Sequence, residues 1–203
     1  MTALLGGAAG AIALLELDAA SVGPFLLSRP FVVGPLVGWA CGDLWSGAVL
    51  GAIFESLTLE EMPLGGCLDF SATVATGAAA FLASSRGGLP IEAAFPAGLA
   101  AGWAHAGLEK YLRRGRGVHA RRLEAALAAG RTPWYGLEIT GALVLQAGAT
   151  FALTLAILAS VGPVGARLWP LLPEFLRAGA RAAFVCAPWI GGGSLAASLW
   201  RRS

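Results

Sequence analysis

Five carboxylates interrupt an otherwise apolar stretch: Asp43, Glu55, Glu60, Glu61 and Asp69. An ionised carboxylate accepts hydrogen bonds on both oxygens in fixed geometry, which suits the neighbouring hydroxyls of a sugar. Setting such a group in lipid costs at least ~3 kcal/mol on insertion scales, so it normally faces a cavity, a partner or a substrate. Glu55, in Ala52-Ile53-Phe54-Glu55-Ser56-Leu57, is the acid most deeply set in apolar sequence and reads as a polar ligand contact. Asp43 follows Gly42 and reads equally as a helix-end residue. Asp69 follows the turn-like Met62-Pro63-Leu64-Gly65-Gly66, where capping a helix and binding a ligand are equal readings. Glu60 and Glu61 lie just before that turn, within reach of water. Metal and cofactor chemistry are not expected. Cys41, Cys67 and Cys186 form no CxxC pair, and His105 and His119 stand at no ligand spacing.

The solvent around these acids follows from composition. Of 203 residues, 57% are apolar and 13% charged, about half the usual charged share, and the mean hydropathy is +0.71. So few charges cannot cover a water-soluble globule of this size, which excludes a disordered chain, a disulfide-stapled module and an ordinary soluble enzyme. The charges are also segregated. Residues 1–109 hold nine acids and two bases, whereas residues 110–203 hold twelve bases and three acids. Seven bases fall between Lys110 and Arg131, flanked by apolar spans. That pattern is a cytoplasmic positive-inside segment rather than a nucleic-acid surface.

The expected architecture is all-α and polytopic, with broken or re-entrant helices. Residues 1–109 form membrane helices carrying the candidate site, residues 110–133 a basic cytoplasmic loop, and residues 134–203 the C-terminal membrane helices. Ile139–Ala166 is long enough for one crossing, with Gly162 and Pro163 marking its end, and Ala182–Trp200 supplies a second. Arg167 to Arg177 reads as a connection with a short interfacial helix. The uncharged stretches Met1–Leu15, Pro30–Gly42, Leu44–Phe54, Phe70–Ser85 and Ala93–Ala104 are shorter than a crossing, as interrupted helices of transporters are. No base precedes the first of them, so it reads as a membrane segment rather than a signal peptide. Gly34, Gly38 and Gly42, then Gly47 and Gly51, then Gly98 and Gly102, stand four apart, the spacing that lets helix backbones approach closely in a membrane.

Ser28-Arg29-Pro30, Gly34-Pro35-Leu36-Val37-Gly38, Gly42-Asp43, Gly51-Ala52-Ile53-Phe54-Glu55 and Pro63-Leu64-Gly65-Gly66 together resemble the opening blocks of the membrane IIC subunits of the mannose/fructose/sorbose phosphotransferase family. Leu143-Val144-Leu145-Gln146 resembles a family segment with a glutamine in a membrane helix. Two departures stand out. After the glycine turn the family has a proline-aspartate step where this chain has Cys67-Leu68-Asp69-Phe70, and family members extend farther beyond the second C-terminal span. The resemblance implies a multi-pass subunit of the cell inner membrane that carries a hexose-type sugar. Its implied sugar contacts are Glu55 first, then Asp69 and Gln146. It also implies a hetero-oligomer with a IID membrane subunit, phosphoryl transfer being left to cytoplasmic IIA and IIB proteins. Two other identities fit the length and apolar pattern: the substrate-binding membrane subunit of an ATP-driven vitamin importer, and a transport-inactive regulatory relict of the IIC family. An intramembrane enzyme would need clustered metal-binding acids, and these acids are scattered.

Overall fold

The computed structural model describes residues 2–18, 26–58, 70–84, 88–130, 132 and 134–202, the side chains of 201 and 202 excepted. These residues form seven α-helices and, among them, no strand. The helices are α1 (Thr2–Leu17), α2 (Pro30–Cys41), α3 (Leu44–Thr58), α4 (Ala72–Ala83), α5 (Ile91–Ala128), α6 (Tyr135–Leu168) and α7 (Glu174–Arg202), with a 3-10 turn at Trp169–Leu171.

Helices α2 and α3 form a hairpin whose sequence logic is local. Pro30 starts α2 at a position where no backbone donor is needed. Gly42 ends it with φ +86°, a left-handed conformation that side chains resist, and the Asp43 N–H returns to the Gly38 carbonyl at 2.8 Å. Asp43 then caps α3 by accepting from the Ser46 N–H at 3.1 Å. The two arms pack through their glycines. A Cβ at Gly38 would lie 2.6 Å from the Asp43 carbonyl oxygen and 2.9 Å from the Gly47 Cα, so only a bare backbone fits. At 12 and 15 residues, the arms are about 18 and 22 Å long, too short to span a ~30 Å hydrocarbon core.

Helix α4 is the centre of the bundle: every residue from Thr73 to Leu82 is buried. It lies on α5 through the Gly98–Gly102 step, where a Cβ at Gly98 would meet the Ala75 carbonyl oxygen at 2.6 Å. Ile12, Val33, Val37, Val74, Phe81, Leu82 and Leu158 fill one side of the core. Leu50, Ile53, Phe54, Ala79 and Phe95 fill the other, with the Phe54 and Phe95 rings 5.3 Å apart.

Three expected boundaries move. The basic segment 110–128 is helical and continues α5 as one 38-residue rod. Helix α6 does not stop at Gly162-Pro163 but runs on to Leu168. Only the donor of Pro163 is lost there, and a long helix tolerates that when its neighbours supply the packing. The separate interfacial helix expected before Arg177 is instead the 3-10 turn followed directly by the start of α7. By length and composition, Tyr135–Leu171 and Glu174–Trp200 can cross a membrane. Both show large apolar side chains on the outside, including Val144, Leu145, Val185, Trp189 and Ile190.

Candidate functional site

Glu55 sits near the C-terminal end of α3, facing the start of the antiparallel α2. One carboxylate oxygen accepts from the Phe31 N–H at 3.3 Å and the other from Arg29 Nη1 at 3.4 Å. A carboxylate at a helix N-terminus satisfies an orphan donor and the helix dipole together. The Glu55 side chain remains 21% exposed and that of Arg29 42%. An acceptor and a donor fork therefore stand side by side at the surface of the hairpin. Each carboxylate oxygen keeps a further lone pair, the equipment for holding a polyhydroxylated ligand.

Gln146 belongs to a different cluster. On α6, Gln146, Thr150, Thr154, Leu158 and Gly162 recur every fourth residue as a buried stripe. The Gln146 amide nitrogen donates to Glu109 Oε2 at 2.5 Å, and its oxygen accepts from Arg116 Nη1 at 2.7 Å. Glu109 also accepts from Arg113 Nε at 2.9 Å and from Arg116 Nη2. One turn earlier on α5, His105 Nε2 lies 2.9 Å from Thr150 Oγ1, and its Nδ1 lies 3.6 Å from Glu16 Oε1 on α1. Ser71, the N-cap of α4, donates to the same Glu16 oxygen at 3.1 Å. Helices α1, α4, α5 and α6 thus meet on a polar seam in which Glu16, Ser71, His105, Glu109, Gln146 and Thr150 are all buried. Asp18 extends it by accepting from the Leu27 and Ser28 N–H groups at 3.0 and 3.2 Å.

Glu55 and Gln146 bond within separate clusters, and Asp69 lies outside the described residues. Reasoning from sequence passed over Glu16 and Glu109 and weighed His105 as a metal ligand. The signal was the spacing: His105 and Glu109 are four apart, as are Gln146, Thr150 and Thr154, so each set occupies one helix face. Among the described residues, no group of three or more metal-ligating side chains is assembled.

The family of sorbose-specific IIC components of the phosphotransferase system matches residues 1–203. The chain belongs to this family. It is accordingly a membrane component of phosphotransferase sugar transport, and it works with other components of that system. A solved chain described as a membrane protein aligns with it at 22% identity and a TM-score of 0.74, covering 98% of this chain and 78% of that one. That likeness is one of fold. The search of the curated proteins finds no match. In a IIC chain the exposed apolar faces of α6 and α7 meet lipid or neighbouring subunits rather than water, and the seam lies inside the helix bundle.

Proposed function

We propose that this chain is the IIC permease subunit of a phosphoenolpyruvate-dependent phosphotransferase system of the mannose/fructose/sorbose type, moving a hexose-type sugar across the cell inner membrane. The match of the family over all 203 residues carries the reading. In it the chain is multi-pass and pairs with a IID subunit, and IIA and IIB proteins phosphorylate the sugar as it emerges. The basic segment 110–131 and the Arg201–Ser203 tail face the cytoplasm, following the positive-inside bias.

Glu55 is the principal sugar contact in this proposal, with Asp69 and Gln146 as further contacts. The exposed edge of the Glu55–Arg29 pair supports the first assignment. Gln146 retains one N–H and one lone pair beyond its bonds to Glu109 and Arg116. The test is phosphoenolpyruvate-dependent uptake of sorbose, fructose and mannose by vesicles holding this chain with IID, IIA and IIB proteins. Uptake of any one that requires this chain supports the proposal. Uptake of none, with the membrane complex intact, favours the transport-inactive relict.

A further inference from the structure

The seam contains a pair of titratable groups that are not among the proposed sugar contacts. Glu16 and His105 are both almost wholly buried, and each leaves a polar atom unpartnered, Oε2 of the carboxylate and Nδ1 of the imidazole. The imidazole nitrogen and the facing carboxylate oxygen are 3.6 Å apart, just beyond a hydrogen bond. Among the described residues, no guanidinium is paired with Glu16. On α5, Lys110 follows Glu109 directly, and Arg113 and Arg116 are both bonded to Glu109. Asp18, two residues on, is bonded to the backbone at Leu27 and Ser28, Glu109 on α5 faces the pair with its own charge, and the described residues of α4 and α6 present hydroxyls and an amide but no charge to it.

Lone pairs facing each other across that gap would repel strongly where water is excluded, so one proton belongs between them. The partners on either side allow a second. With Nδ1 protonated towards Glu16, Nε2 accepts from the Thr150 hydroxyl. When the pair takes up another proton, Nε2–H donates to the same hydroxyl, or the carboxyl becomes neutral and the Thr150 bond stays as it was. Thr150 serves both states because a hydroxyl donates or accepts by rotating.

We propose that Glu16 and His105 form an exchangeable proton-binding site at the meeting of α1, α4, α5 and α6, which makes the packing of this subunit responsive to pH. The proton belongs to the pair rather than to either side chain. Its arrival changes the charge seen by the Ser71 hydroxyl, which donates to Glu16 while accepting from the Val74 N–H at the start of α4. The route to water runs one turn along α5 through Glu109 to Arg113 and Arg116, whose side chains are 35% and 34% exposed.

The test uses the full chain in lipid nanodiscs, carrying His119→Gln so that His105 is its one histidine. Nitrogen-15 spectra of labelled histidine read the imidazole, and infrared difference spectra read the protonated carboxyl, both between about pH 5 and 9. At least one signal titrates. Glu16→Gln removes the carboxyl change or lowers the imidazole midpoint by about one pH unit or more, and His105→Gln moves the carboxyl midpoint by a similar amount. Thr150→Val keeps both titrating groups, serves where the other variants fail to fold, and moves the imidazole midpoint by withdrawing the hydroxyl that partners Nε2 in either state. Constant signals across the range, or midpoints unmoved by all three substitutions, overturn the proposal.

Discussion

Gln146 and Glu109 lock α6 to α5: the amide nitrogen donates to the carboxylate, and Arg116 closes the ring by donating to both. Gln146→Leu keeps the volume but leaves Glu109 short of a buried donor. The loss is about 1–3 kcal/mol, the usual penalty for a buried polar group deprived of its partner. Thermal unfolding of the purified complex in mild detergent measures it, and an unchanged midpoint contradicts the ring's role.

The α2–α3 hairpin depends on bare backbone. A Cβ at Gly47 would lie 2.8 Å from the Gly38 Cα, and neither is the end of a flexible side chain. Gly47→Val forces the arms apart at a cost of about 1–3 kcal/mol or more. Gly141→Ala, on an open face of α6 with nothing within 4 Å, is neutral or slightly stabilising. Fluorescence-detected size exclusion of the two variants, heated in parallel, separates them.

Sugar affinity is the measure of Glu55. Glu55→Gln keeps the shape and one acceptor oxygen but removes the charge, so affinity falls roughly ten- to a hundred-fold, equivalent to about 1.5–3 kcal/mol. Glu138→Gln, whose carboxylate pairs with His119 elsewhere on the molecule, leaves affinity unchanged. Calorimetry on the complex with the IID subunit reads both. Equal affinity for wild type and Glu55→Gln moves the sugar site elsewhere.

Orientation is tested by labelling. A single cysteine at Gly117, on the basic continuation of α5, resists a membrane-impermeant thiol reagent applied to intact cells and reacts once the membrane is opened. Reaction in intact cells reverses the assigned topology.

Chain composition and spacing alone determined the lipid-facing character, the all-α class and the close-packing glycine faces, and the family was legible as a resemblance of motifs. Each is written in one-dimensional quantities: apolar fraction, four-residue periodicity, and the order of Arg29-Pro30, Gly42-Asp43 and Glu55 along the chain. The helix-end reading of Asp43 belongs with them, since its partner lies three residues away, whereas Gly42, counted in a packing face, instead ends α2 with nothing within 4 Å of where a Cβ would stand. Helix ends were less legible. Pro163 and the basic stretch after Lys110 read as terminators, yet both lie inside long helices: one lost donor does not end α6, and the Arg-, Leu- and Ala-rich stretch beyond Glu109, which buries no residue, keeps its helix by propensity. The polar seam was decided by tertiary structure alone. Glu16 and Ser71 are 55 residues apart, His105 and Thr150 45, and Glu109 and Gln146 37. No local pattern pairs residues at such separations; only the docking of α1, α4, α5 and α6 brings their polar faces to one line, where exclusion of water makes each partner necessary to the others.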